Sequence, residues 1–369
     1  MNAMNHVMGN QSANDRNSSS TVRHPASDQL LSVQEISGTS VSKNFAIESN
    51  GFAGQPWLVE ERDACGVGFI ADQQGRSTHD LVQKTLMALG CMEHRGGCSA
   101  DQDSGDGAGV MLGLPWDLLN QWAVSEGKLS NGKSSLTATH TGVAMIFLPQ
   151  DEFIASAAKK TVEEIFVQNG LTWLGWRNVP INSQVLGRQA LENLPGIIQA
   201  IVTSEKSGDE FEQQLYIARK KVEKAIGSRE FYFCSCSSRT IVYKGMVRSE
   251  VLGAFYSDLQ NIEYTSSFSV YHRRFSTNTL PKWPLAQPMR LLGHNGEINT
   301  LLGNINWTMA KESSLSHPNF GDQIEELKPI VNAANSDSAT LDNVCEVMVR
   351  AGRSPMESLM IMVDRKSVV

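Results

Sequence analysis

The sequence predicts an α+β layered fold. Two patterns point to it: short apolar strands occur in runs broken by amphipathic helical stretches, and strands and helices do not alternate strictly as βαβ units would. A third observation bounds the size. The 369 residues, 41% hydrophobic and 19% charged, hold enough apolar material for one large or two ordinary globular domains.

Residues 1–50 are rich in Asn, Ser, Thr and Gln and show neither helical nor strand period, so they cannot offset their ordering entropy and are expected to be disordered. Arg16, Arg23 and the many serines leave a targeting peptide as a competing reading, although no basic amphipathic helix is present. Order is expected from about Trp57. Cys65-Gly-Val-Gly-Phe-Ile-Ala reads as a short buried strand, and Leu81, Val82, Leu86 and Leu89 recur at helical spacing over Asp80 to Leu89. Further strands are expected at Gly109 to Leu114, Gly142 to Leu148, Leu171 to Trp176, Phe231 to Cys236, Thr240 to Met246 and Ser267 to His272. Helices are expected at Glu152 to Asn169, Glu210 to Ile226, Glu250 to Leu259, Asn299 to Glu312, Ser338 to Ala351 and Pro355 to Met362. No internal repeat is visible.

A formal net charge of −7 gives no broad attraction to a phosphate backbone, which argues against nucleic acid and for a small-molecule substrate. No stretch approaches the roughly 18 apolar residues of a membrane helix; the best, Thr141 to Pro149, has strand length. Cysteines at 65, 91, 98, 234, 236 and 345 are too sparse for a disulfide scaffold, and the N-terminus lacks a secretory apolar core, so a reducing, intracellular compartment is expected. Cys234 and Cys236 read as buried strand cysteines, not as a zinc or redox pair.

Five constellations can carry chemistry. In Asp63-Ala-Cys-Gly-Val-Gly-Phe-Ile, a cysteine opens a strand whose glycines allow a substrate to approach the backbone closely. Taken alone it reads as a buried structural thiol, but it stands where a disordered tail meets an ordered core. Cleavage of the Ala64–Cys65 bond would give Cys65 a free α-amine, with a typical pKa of about 8, to serve as the base for its own thiol. Tyr271-His-Arg-Arg-Phe-Ser-Thr-Asn places two arginines at a strand end, suited to a carboxylate or to a surface salt bridge on an edge strand. Leu292-Gly-His-Asn-Gly-Glu-Ile-Asn offers a side-chain amide beside a backbone N–H, the donor pair of an oxyanion hole, or else a plain hairpin turn. Asn335-Ser-Asp-Ser reads first as a helix N-cap, with Asp337 also able to face an ammonium. Glu93 to Gly109 sets three aspartates among glycines; it lacks the closing Glu of a calcium loop and the Lys-Ser/Thr of a phosphate loop, which leaves a structured loop near the site.

Together these segments resemble the class II glutamine amidotransferase domain, and specifically the amino-terminal part of glutamate synthase large chains. The resemblance runs from about residue 60 to 363 and is carried by Glu61 to Ile70, Cys91 to Gly109, Tyr271 to Leu280, Pro284 to Trp307 and Ser336 to Asn343. It implies a four-layer αββα sandwich of the N-terminal-nucleophile hydrolases. It further implies Cys65 as the processed nucleophile, Asn295 and the Gly296 N–H as the oxyanion hole, Arg274 with Thr277 beside it for the glutamine α-carboxylate, and Asp337 for the α-ammonium. Residues 1–64 would be a propeptide removed on maturation, and residues 65–369 the glutaminase domain. Glutamine would be hydrolysed through a γ-glutamyl thioester, and in the full-length enzyme the ammonia would pass to 2-oxoglutarate. FMN, an iron–sulfur cluster and an electron donor, with ferredoxin favoured over NADPH, would belong to the rest of that longer chain. Cytoplasm or plastid stroma is the expected compartment. After Met360-Ile-Met-Val the chain departs from the family pattern as Asp364-Arg-Lys-Ser-Val-Val, so a C-terminally incomplete domain is expected. An inactive truncated fragment that keeps the motifs is the alternative.

Overall fold

The computed structural model describes residues 66–93, 101, 103–129, 135–274, 282–295, 298, 301–331 and 335–362. The expected disordered tail, propeptide and divergent C-terminus lie outside them. All the described residues fall in one compact unit, Glu60–Val369.

The elements in order are β1 (Gly66–Ala71), α1 (His79–Gly90), β2 (Ala108–Gly113), α2 (Trp116–Ser125), β3 (Thr141–Leu148), α3 (Glu152–Gln168), β4 (Thr172–Asn178), α4 (Arg188–Glu192) and β5 (Gly196–Thr203). There follow α5 (Gly208–Ile226), β6 (Tyr232–Ser237), β7 (Thr240–Gly245), α6 (Leu252–Phe255), β8 (Phe268–Arg273), α7 (Leu301–Glu312), α8 (Asp337–Arg350) and α9 (Pro355–Met362). The strands form two antiparallel four-stranded sheets, ordered β1-β8-β2-β7 and β4-β5-β3-β6. This is the expected α+β sandwich, with mixed helices packed on two sheets.

Period-2 patterning explains the layers. Along β3, Val143, Met145 and Phe147 join the core shared with the first sheet, whereas Ala144, Ile146 and Leu148 join the core beneath α3 and α5. Both faces are covered, so the strand reads as a continuous apolar run, and each of its large apolar side chains stabilises the fold by ~1.5–3 kcal/mol. Local chemistry sets the helix ends. Asp151 caps α3 by accepting from the Ile154 N–H at 2.9 Å, and α5 stops at Gly227, whose φ of +61° suits a residue without Cβ.

The expected strands and most of the helices fall within two residues of the observed ones. One expected helix does not form as such: Glu250 to Leu259 breaks into a 3-10 turn, the four-residue α6 and a second 3-10 turn. Tertiary demands outweigh helical period there. The Tyr256 hydroxyl donates to the Lys244 carbonyl at 2.7 Å and Asp258 reaches Arg177, and a regular helix would not direct both side chains to those partners. Strand β5 and helix α2 were not expected. Gln199 interrupts the apolar run of β5, and its side chain is satisfied only by distant groups, accepting from Arg177 at 2.9 Å and donating to the Tyr243 hydroxyl at 3.3 Å. Cys234 and Cys236 are buried strand residues, their thiols pushed up to about 12 by desolvation.

Candidate active site

The site is assembled on the first sheet. Strand β8 is central, hydrogen-bonded to β1 on one side and β2 on the other, so the edge-strand reading of its arginine pair fails. The register pairs Gly66 with Arg273, which sets the strand position after Cys65 directly opposite the residue before Arg274. Cys65, Thr277 and Gly296 themselves lie outside the described residues.

The two arginines have separate fates. Arg273 is fully buried, its Nη2 2.9 Å from Glu93 Oε1 and its Nη1 3.3 Å from Asp106 Oδ1, while the Ser249 hydroxyl donates to the other oxygen of Glu93. Arg274 follows at φ +85°, a left-handed conformation that costs a side-chain-bearing residue ~1–3 kcal/mol and persists only where surroundings enforce it. Its Nε lies 3.0 Å from Asp106 Oδ2, and its backbone N–H donates to the Gly107 carbonyl at 2.6 Å.

Asn295 ends an irregular segment, residues 286–295, and is exposed; the turn that it would form with Gly296 lies outside the described residues. That segment is tied down from both sides. His272 Nε2 donates to the His294 carbonyl at 3.0 Å, and because a carbonyl can only accept, Nε2 carries the ring proton. Burial lowers the His272 pKa to about 4, so the ring is neutral near pH 7. Gln287 accepts from the His294 N–H at 3.3 Å and donates to Ser338 Oγ at 3.4 Å, linking the segment to the start of α8. One turn further along α8, Asp342 accepts the N–H groups of Leu291 and Leu292 at 2.9 and 3.0 Å. Burial raises the Asp342 pKa. Burial would also raise Glu346, but Arg219, Arg290 and Arg350 outweigh it and hold that carboxyl at about 2. On β2, a Cβ at position 109 would come within 2.5 Å of the Gln287 carbonyl, so glycine there lets the segment lie directly on the sheet.

Ser336 caps α8, accepting from the Ala339 N–H at 3.1 Å, and this bears out the capping reading of Asn335-Ser-Asp-Ser. Asp337 opens the helix, buried, with Oδ1 accepting from the Ser338 N–H at 2.6 Å. The structure thus links the elements bearing Arg274, Asn295 and Asp337 through His272, Gln287 and Ser338, three residues that the sequence reading did not single out. Asp337 also borders a cavity of about 570 Å³ between α7, α8 and α9. Neither Arg274 nor Asn295 lines it.

One expectation changes. The glycines of β1 make room within the fold and not for a substrate: a Cβ at 68 would meet the Tyr271 ring at 2.4 Å, and one at 66 the Met92 sulfur at 2.6 Å. The acids of the 93–109 loop are engaged by protein groups. Asp101 accepts from Ser104 Oγ at 2.6 Å and from three backbone N–H groups, which together hold its carboxyl well below the usual range; Asp103 lies 3.5 Å from Arg248; and Asp106 serves the two arginines. No group of three or more His, Cys, Asp or Glu among the described residues is arranged to hold a metal ion, and no helix among them is long and apolar enough to cross a membrane.

Residues 65–366 match the family described as class II glutamine amidotransferases. The chain is 57% identical over 331 residues to ferredoxin-dependent glutamate synthase 2 of Synechocystis sp., covering 89% of this chain and 21% of that protein. It is 48% identical over 350 residues to the chloroplastic ferredoxin-dependent glutamate synthase of Spinacia oleracea, covering 93% and 20%, and 53% identical over 312 residues to that of Oryza sativa, covering 83% and 19%. The chain spans about a fifth of the length of these curated relatives.

Proposed function

Because the chain belongs to the class II glutamine amidotransferases, we propose that it hydrolyses glutamine to glutamate and ammonia with Cys65 as nucleophile. Removal of residues 1–64 frees the Cys65 α-amine, which takes the thiol proton. The sulfur attacks the glutamine carboxamide carbon, and the oxygen of the tetrahedral intermediate is held by the Asn295 side-chain amide and the Gly296 N–H. The C–N bond then breaks, the α-ammonium returns its proton to the leaving nitrogen, and ammonia departs. Water hydrolyses the resulting thioester, releasing glutamate and the thiol. Arg274, with Thr277 beside it, binds the α-carboxylate and Asp337 the α-ammonium, which favours free glutamine over a peptide side chain that carries neither charge.

The observation that supports this reading is the strand register. Gly66, the residue that follows Cys65, pairs with Arg273, the residue that precedes Arg274, and His272 of that same strand is tied to the Asn295 segment. The test is ammonia release from glutamine by the purified 369-residue chain: release that disappears in Cys65→Ala supports the enzyme, and its absence from folded, processed chain leaves the inert-fragment reading. Intact mass should show loss of residues 1–64. Parallel assays with asparagine and γ-amide peptides check the substrate class.

In a longer enzyme of this family, the ammonia would pass to 2-oxoglutarate in regions that carry FMN and an iron–sulfur cluster. The relatives' names favour ferredoxin over NADPH as electron donor. Cytoplasm or plastid stroma is the compartment that this reading suggests.

A further inference from the structure

Within the glutaminase reading, on which this inference rests, we propose that Asp106 is the positioning residue for glutamine recognition: clamped between Arg273 and Arg274, it fixes the plane of the guanidinium that meets the α-carboxylate. Two separate contacts dock Arg274 on the Gly105-Asp106-Gly107 turn. Arg274 Nε lies at ion-pair distance, 3.0 Å, from Asp106 Oδ2, and the Gly107 carbonyl accepts from the Arg274 backbone N–H at 2.6 Å. A carboxylate paired at the Nε edge, with the backbone held beside it, biases where both terminal nitrogens point, and a bidentate carboxylate contact depends on that direction.

The turn is itself immobilised. A Cβ on Gly105 would lie 2.3 Å from the Val247 carbonyl carbon and 2.4 Å from the Arg248 nitrogen, and Gly107 has φ +119°, so backbone packing leaves the turn no room to shift. Arg273 fixes the other carboxylate oxygen and is braced in turn by Glu93 and Ser249. The row Ser249, Glu93, Arg273, Asp106, Arg274 therefore runs from a rigid connection after β7 to the rim of the site. Arg274 retains about 15% side-chain exposure, whereas Arg273 has none. Such bracing suits a group that must stay in one orientation before its ligand arrives.

A carboxylate between two arginines could alternatively serve only to neutralise charge, and the two roles predict opposite outcomes. If Asp106 merely neutralises, Asp106→Asn makes the pocket more positive and lowers the KM for glutamine. If Asp106 positions, losing the charge-assisted contact raises that KM by about 10-fold or more, with a smaller fall in kcat. Asp106→Glu keeps the charge and moves it by one methylene, so positioning predicts a raised KM here too, while neutralisation predicts wild-type behaviour. In both variants the preference for glutamine over 4-aminobutanamide, which is glutamine without its α-carboxylate, should shrink. These constants are measured on the 369-residue chain after circular dichroism confirms the fold; should Asp106→Asn not fold, the charge-retaining Asp106→Glu decides the matter alone. A wild-type KM in Asp106→Glu, or a lowered one in Asp106→Asn, overturns the assignment while glutamine hydrolysis by the parent chain stands. A parent chain that does not hydrolyse glutamine overturns the glutaminase reading and this inference together.

Discussion

Arg177 and Arg274 each give their guanidinium to an aspartate, in opposite settings. Arg177 is bidentate on Asp258, at 2.8 and 2.7 Å, with Gln199 on the same Nη1 and the Tyr243 hydroxyl donating to Asp258 at 2.9 Å. Both partners are almost fully buried. Arg274 has Nε 3.0 Å from Asp106 Oδ2, at the end of a strand and in a left-handed conformation. The first network closes on itself between the second sheet and the 3-10 turn at Ser257–Gln260; the second is anchored at its inner end and meets the site at its outer one. Closure suits a group that only holds the fold, whereas a partly exposed guanidinium at a strand end suits a group that meets a ligand.

This contrast implies separable phenotypes. Asp258→Ala should destabilise the fold most, by about 3–5 kcal/mol in denaturant unfolding, because it strands the buried Arg177 charge; glutamine turnover per folded molecule should stay at the parent level. Asn295→Ala should do the reverse, lowering kcat by on the order of 10²–10³ with little change in unfolding midpoint, since the exposed amide contributes chiefly to the developing oxyanion. Arg274→Ala should lower kcat/KM by roughly 10²-fold, mostly through KM. It should leave stability near the parent value, since Asp106 keeps its ion pair with Arg273, while alanine, which retains a Cβ, leaves the backbone strain in place. If it instead unfolds the chain as Asp258→Ala does, the two networks are alike and the contrast drawn here is wrong.

The smallest effect is a pH dependence. Burial depresses the folded-state pKa of His272 to about 4, below the ordinary value of about 6.5. The unfolded chain then takes up a proton that the folded chain refuses. This contribution is complete above pH 6.5 and is lost as pH falls from 6.5 towards 4, reaching about 2 kcal/mol by pH 5. Unfolding midpoints measured from pH 7 to 5 should fall less steeply in His272→Gln, whose amide can still donate to the His294 carbonyl.

Much of this was legible in the chain because it is local. The Ser336 cap, the Cys65 strand and the apolar run of β3 depend on near neighbours or on a period that burial imposes. The breaking of Glu250 to Leu259, the polar centre of β5 and the division of labour between Arg273 and Arg274 were not legible, because each depends on a group from a distant segment: Lys244 and Arg177, Tyr243, and Glu93 and Asp106 respectively. Adjacent arginines are chemically identical on paper. Only the alternation of β8 and the left-handed turn at its end send one inward and the other to the rim.

Alone, the sequence determined the α+β class, most of its elements and the family to which the chain belongs, since side-chain period and motif chemistry are properties of short segments. The tertiary structure decided which charges close on one another and which face the site, because a guanidinium's partner is chosen by distance in space, and neighbours in space come from strands far apart along the chain.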